Sequence, residues 1–301
     1  MHTILAICLA SFCSIEPSID LSKAELQPTE KQLLYAEQLF ERRIYNPSIL
    51  EYKRFLFYQS HTDMADFAHY RIAQAHYYQG NRGYSRQLFG EFMKTFPESP
   101  LYYHAQFMLG KTHLDDGENA TARSAFFRIL QEKGDESLRV QAQYLRGWCY
   151  LHDRNWFKAI SEFRDIRRLR GENRDIGSFD ARLERTAVKL ADTTLANTPL
   201  PLKSPRLAQF MSTVIPGSGQ IYAGKIRNGL ISLGINAAFF YLLGDSVADK
   251  RYVDAAGIFL VGSRFYWGNR HNAKKWAKEY NQNLEMGLIE RLKSIEREAI
   301  E

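Results

Sequence analysis

The chain repeats itself every 37 residues. Ala73, Gly110 and Gly147 share that spacing, as do His76, His113 and Tyr150; Ser85, Ala122 and Ala159; Phe89, Phe126 and Phe163; and Phe92, Ile129 and Ile166. Ala36, Ser48, Tyr52 and Phe55 place a fainter first copy in the same frame. A fixed period of this length signals stacked units, each too small to bury its own apolar face, so that the core forms between neighbours.

Within one copy the apolar residues fall at helical spacing. Tyr103, Phe107, Gly110 and Leu114 lie on one face of a first helix, and Ala122, Phe126, Ile129 and Leu130 on one face of a second. The polar run from Asp115 to Asn119 stops one helix and starts the next. Neighbouring copies break at residues 80–83 and 152–155. Small residues at 73, 110 and 147, and at 85, 122 and 159, let the two helices approach closely. The large residues at 89, 126 and 163 fill the space between layers. The expected fold is all-α.

This order of residues resembles the tetratricopeptide repeat: a small residue in a first helix, an aromatic three later, a turn, an alanine in a second helix and an aromatic four later. Pro97 matches the proline that ends such a repeat. The resemblance covers roughly residues 29–170. The longer unit resembles those of bacterial envelope repeat proteins, including the lipoprotein that assembles outer-membrane β-barrels. In this family the first helix of each pair lines a concave groove. Carried over, the groove would hold Tyr70, Gln74, Tyr77, Phe107, Lys111, Leu114, Tyr144, Trp148 and Leu151. Aromatic anchors suit a protein or peptide partner, because they supply contact area at low entropy cost. The competing reading is that the same residues pack first helices against their neighbours. Basic pairs that would clamp a terminal carboxylate are not evident.

Beyond the repeats, Pro199, Pro201 and Pro205 mark a boundary, and the composition then changes. Residues 230–243 are an apolar run, 245–251 a polar loop, and 253–267 a second run containing Asp254 and Arg264. A full span needs about 20 apolar residues. Flanking residues extend the first run to 226–247, while the second stays short. The pair is read as a hairpin embedded in a bilayer, flanked by interfacial aromatics and bases in 264–278. Ahead of it, Pro216, Gly217, Gly219, Gln220, Tyr222 and Gly224 match a Pro-Gly-x-Gly-Gln-x-Tyr-x-Gly signature, with Lys225 and Gly229 following. It resembles the opening of a small two-helix membrane domain found in several bacterial families. A phosphate-cradling loop fits less well, since Ile226 stands where Ser or Thr is needed and no strand precedes.

The expected organisation is a signal peptide over 1–13, a repeat domain over 29–195, a linker over 196–207, the hairpin domain over 208–271 and an amphipathic helical tail over 272–301. The signal rests on the apolar stretch 4–12. Phe12 directly before Cys13 argues against lipidation, since lipoprotein signals place a small residue there. In the tail, Trp276, Tyr280, Leu284, Leu288, Leu292 and Ile295 form one stripe. Three destinations stay open for it: the membrane surface, the repeats, or a partner helix.

No catalytic motif is visible, and no cofactor or metal is expected. His69, His76, His104 and His113 lack ligand partners at close helical spacing. Cys149, inside a helix, is read as a small core residue. The net charge of +6 is modest. It suits anionic lipid better than nucleic acid, which is not an expected partner. Bases flank the hairpin on both outer sides (Lys225 and Arg227; Arg270, Lys274, Lys275 and Lys278), which by the positive-inside rule places repeats and tail in the cytoplasm. A cleaved signal places them outside, and we follow the signal. The leading expectation is a non-enzymatic, membrane-tethered repeat scaffold of the bacterial cell envelope, with periplasmic repeats, a protein partner and membrane lipid. The alternatives are a soluble exported adaptor capped by its C-terminal helices and, last, an enzyme.

Overall fold

The computed structural model describes residues 28–58, 64–131, 135–169 and 179–299. The expected signal over 1–13, with Cys13, lies outside the described residues. The chain forms two compact units, one of residues 1–196 with 292–301 and the other of 197–291.

The first unit is a helical solenoid. Its helices are α1 (Pro28–Glu41), α2 (Tyr45–Tyr58), α3 (Ala65–Tyr78), α4 (Arg82–Thr95), α5 (Tyr102–Asp115), α6 (Asn119–Gln131), α7 (Glu136–His152), α8 (Trp156–Leu169) and α9 (Phe179–Ala196). Consecutive helices pack together. First helices also stack on first helices, α3 on α5, α5 on α7 and α7 on α9. No strand occurs among the described residues.

The 37-residue frame appears as repeated geometry. Each first helix ends in a left-handed residue at the same position of the frame: Arg43 (φ 61°), Gly80 (φ 83°), Gly117 (φ 78°) and Arg154 (φ 58°). In all four, that residue's N–H and the next one's reach back to helix carbonyls, as in Asn81 N to His76 O and Asn155 N to Tyr150 O. This is the Schellman closure, which satisfies orphan carbonyls at a helix end. In the first two copies a buried serine of the second helix donates to a carbonyl of the first: Ser48 to Ala36 at 2.9 Å and Ser85 to Ala73 at 2.8 Å.

Sequence reading places the large rings between layers; the structure sets Phe126 and Phe163 each on a glycine of its own repeat. A Cβ on Gly110 would come 2.6 Å from Cε1 of Phe126, and one on Gly147 2.5 Å from Cε1 of Phe163. The rings therefore lie directly on backbone. Between the first and second copies, Arg71 of α3 holds Glu37 of α1 through two bonds of 2.9 Å, and the Tyr52 hydroxyl donates to the same carboxylate. Both charges are largely withdrawn from water, so each depends on the other.

The second unit contains α10 (Pro205–Val214), the short α11 (Ser218–Tyr222), α12 (Ile226–Ala248) and most of α13 (Tyr252–Glu298). Sequence reading divides the second apolar run from the tail near residue 271. The structure instead carries one helix through both. Gly257, Gly262 and Gly268 weaken that helix by about 1 kcal/mol each, but no proline interrupts it. Its last residues, from Leu292, belong to the repeat unit. That settles one destination of the tail stripe.

Candidate functional site

The expected groove residues come first. Tyr70, Gln74, Tyr77, Phe107, Lys111, Tyr144 and Trp148 are all buried, as is Leu151, while Leu114 is half-buried. In this structure they pack between helices. The reason is visible ring by ring. Tyr70 meets Phe89 at 5.8 Å and 57°, Phe107 meets Phe126 at 5.6 Å and 53°, and Tyr144 meets Phe163 at 5.7 Å and 55°. The row spaced by 37 is one half of a repeated aromatic pair that joins first and second helices.

The polar groove residues tie neighbouring repeats together. The Tyr77 hydroxyl donates to Asp115 Oδ2 at 2.7 Å, and Lys111 Nζ lies 5.4 Å from the centre of the Tyr77 ring. Arg82 Nε stands 3.8 Å from the same carboxylate. Burial raises the Asp115 carboxyl above its ordinary range, with Tyr77, Lys111 and Arg82 pulling the other way. Gln74 donates to the Tyr70 hydroxyl at 3.0 Å.

At the fourth repeat the contact comes from a distant part of the chain. The Tyr144 hydroxyl donates to Glu296 Oε1 at 2.6 Å, across 152 residues of sequence. The Trp148 indole N–H lies near the same carboxyl without a well-aligned bond. Burial pushes the Glu296 carboxyl up to about 7, opposed by Tyr144, Trp148 and Lys293. Leu292 and Ile295 of the same segment are buried, and Lys189 of α9 reaches Glu298 at 3.3 Å. Residues 292–298 are thus seated against α7, with an exposed ion pair to α9. Neither spacing nor composition singles out Glu296, because its partner is set only by the tertiary fold.

The histidines each have separate surroundings. His76 packs edge-on to Tyr84 at 4.7 Å, His69 against Phe96 at 5.4 Å, and His104 stands 3.9 Å from Asp135. His113 shares Glu118 with Arg86. Among the described residues no group of three or more His, Cys, Asp or Glu is placed to hold a metal ion. Cys149 is buried, and burial pushes its thiol up to about 12, which removes thiolate chemistry at neutral pH.

In the second unit every signature residue but Pro216 has a defined structural task. Gly217, in the left-handed region at φ 99°, starts α11, and a Cβ there would overlap the Gly229 carbonyl. A Cβ on Gly219 would overlap the Ala208 carbonyl. Gly224 turns the chain at φ 87°. Gln220 is fully buried and joins three helices: its Oε1 accepts from Ser212 at 2.9 Å, and its Nε2 donates to Ser232 and to the Asn269 carbonyl at 3.3 Å each. Tyr222 accepts from the Ser204 N–H at 3.1 Å. Ala208, Ala223, Ala273 and Ala277 form a small-residue core beside Tyr222 and Trp276. Phe239 of α12 lies directly against Gly262 of α13, where any Cβ would overlap its ring.

The outer face of this unit is apolar. Leu230, Ile231, Phe240, Tyr241 and Leu242 of α12 are exposed, as are Val253, Phe259, Leu260, Val261, Phe265 and Trp267 of α13. The 23 residues of α12, at 1.5 Å each, reach roughly 34 Å, enough for a hydrocarbon core of about 30 Å. Among the described residues α12 is the one helix long and apolar enough to cross a membrane. At the hairpin tip Arg251 pairs with Asp245, Asp249 and Asp254.

A family model for the tetratricopeptide repeat matches residues 70–137 and again 107–173. The two starts differ by 37, one repeat of the frame. Residues 70–173 are therefore tetratricopeptide repeats within an all-α solenoid. Solved structures with a similar course include a single-residue variant of the nearly identical TPR-like repeats of a Podospora anserina kinesin light chain (10% identity, 58% of this chain and 91% of that one, TM-score 0.46). A tetratricopeptide repeat protein from Parabacteroides merdae shares 14% identity over 88% of this chain and 98% of its own, with a TM-score of 0.43. The apo form of RapI shares 15% over 83% and 76%, with a TM-score of 0.45. None of the curated proteins matches the chain.

Proposed function

We propose that this chain is a membrane-tethered, non-enzymatic scaffold of the bacterial cell envelope. Its repeats engage a protein partner, and its hairpin is embedded in lipid. The observation that carries the tether is the bare apolar face of α12 and the start of α13. Contiguous exposed apolar surface on this scale marks an interaction site, and the length of α12 matches a bilayer. The bases Lys225, Arg227, Arg270, Lys274, Lys275 and Lys278 flank that face, where anionic headgroups would attract them. The envelope assignment follows the resemblance of the long repeat units to envelope proteins, and the periplasmic side follows the export reading of residues 4–12. The scaffold role follows from repeats whose stacked helices present extended surface.

Carbonate extraction of native membranes, followed by protease digestion of intact spheroplasts, tests this. Retention in the membrane with cleavage of the repeats is expected. Release by carbonate would remove the tether. Retention with protected repeats would keep the tether and reverse its orientation.

A further inference from the structure

The inner face of the fourth repeat departs from the two before it. Tyr70 takes its hydrogen bond from Gln74 of its own helix, and Phe107 has no hydroxyl to place. Tyr77 finds its acceptor on the next repeat, in Asp115. At the fourth repeat Tyr144 is bonded instead to Glu296, which belongs to no repeat. The segment that supplies it is short. Its outer ion pair, Lys189–Glu298, is exposed on both sides and holds weakly. A buried carboxyl seated there costs more than an apolar residue of its size would, so the seat is polar where tight permanent packing would favour an apolar one.

We propose that α7 and α9 form a seat for an amphipathic helix whose buried side presents two branched aliphatics and a glutamate at positions i, i+3 and i+4, as Leu292, Ile295 and Glu296 do. Residues 292–298 hold this seat in cis, and a partner helix of the same pattern displaces them. The aliphatics supply burial and the glutamate supplies register, because only one rotation of the helix brings a carboxyl to Tyr144. This deepens the partner-binding reading of the repeats and rests on it.

The test uses the full chain in detergent micelles and a fluorescent peptide of its own residues 284–299. A Glu296→Lys variant, checked by circular dichroism for retained helix, should bind the peptide at least tenfold more tightly than the wild type, whose seat is filled. Tyr144→Phe in that background should weaken binding several-fold. A second measurement needs no variant: in the wild type, saturating peptide should speed hydrogen exchange at the amides of 292–298. Equal peptide affinity of wild type and Glu296→Lys, or unchanged exchange at saturation, would overturn the proposal. Membrane cross-linking separates it from the broader reading. A protein that still cross-links to a Tyr144→Phe/Trp148→Phe chain as to the wild type would sink the seat alone, whereas no cross-linked protein with either would sink the scaffold reading.

Discussion

Gly110 and Phe126 meet so closely that the aromatic ring occupies the space a side chain at 110 would need, with Cε1 2.6 Å from the place of a Cβ. Gly147 and Phe163 repeat the relationship at 2.5 Å. Both rings are fully buried, so neither can swing into solvent. Gly110→Ala should therefore destabilise the repeat unit, although alanine is the better helix former. Overpacking costs about 1–3 kcal/mol, against about 1 kcal/mol of helix propensity gained. Denaturant unfolding of the full chain should show the loss, and Phe126→Leu added to Gly110→Ala should recover part of it. A stabilised Gly110→Ala would contradict the geometry.

The four left-handed helix ends allow a test without any packing change. Gly117 has nothing within 4 Å of a potential Cβ, so Gly117→Ala reports backbone conformation alone. It should lose about 1 kcal/mol, the cost of holding a residue with a Cβ in the left-handed region. Arg43 already bears that cost at φ 61° and is exposed. Arg43→Gly should gain up to about 1 kcal/mol, reduced by the greater freedom of glycine in the unfolded chain. Thermal melts of the two variants should move in opposite directions.

Much of this was legible in the sequence, for reasons that differ by residue. The period at 73, 110 and 147 is a steric demand and survives in any reading. The row Tyr70, Phe107 and Tyr144 is ambiguous in sequence, because an aromatic ring suits a groove and a core equally. In the structure each of these rings meets Phe89, Phe126 or Phe163, a contact that the sequence alone does not assign. The signature glycines permit a tight backbone, but the partners that make it tight, the Ala208 and Gly229 carbonyls, are set by the fold. The continuity of α13 was hidden by glycines and a change from apolar to charged composition, neither of which ends a helix when its backbone stays satisfied. The seating of residues 292–298 left no local trace, since Tyr144 and Glu296 are 152 residues apart.

Gln220 offers the sharpest test of the second unit. Its side chain binds Ser212, Ser232 and the Asn269 carbonyl, one group from each of α10, α12 and α13. Gln220→Leu keeps the approximate volume and leaves all three groups without that partner. Each buried polar group left unmade costs about 1–3 kcal/mol. The variant should aggregate at a lower temperature than the wild type in the same micelles, while Gln220→Glu, which keeps the acceptor for Ser212, should lie between them. Equal aggregation temperatures for wild type and Gln220→Leu would show that the three contacts add nothing.

Glu296 makes the seating of residues 292–298 dependent on pH, and the sign follows from where its proton goes. The free carboxyl titrates near 4.5 and the seated one near 7, raised by burial. The seated segment therefore binds more protons than the released one between those values. The seating is fully favourable below 4.5, weakens as pH rises, and reaches its minimum above about 7, at a cost of about 3 kcal/mol relative to acid pH. The groups facing Glu296 act on the same window. Tyr144 and Trp148 of α7 and Lys293 of its own helix favour the charged form. His152 of α7 is held neutral by burial first, and then by Lys293 and Arg154, so it opposes seating only once the solution is acid enough to charge it. The Lys189–Glu298 pair is exposed and adds little. Hydrogen exchange across 292–298, corrected for its intrinsic pH dependence, should show protection near pH ~5.5 and markedly less at pH ~8, on either side of the seated value. Glu296→Gln, which keeps an acceptor for Tyr144 and cannot ionise, should hold its protection across that range; a wild-type profile as flat as that of the variant would show that the carboxyl does not govern the seat.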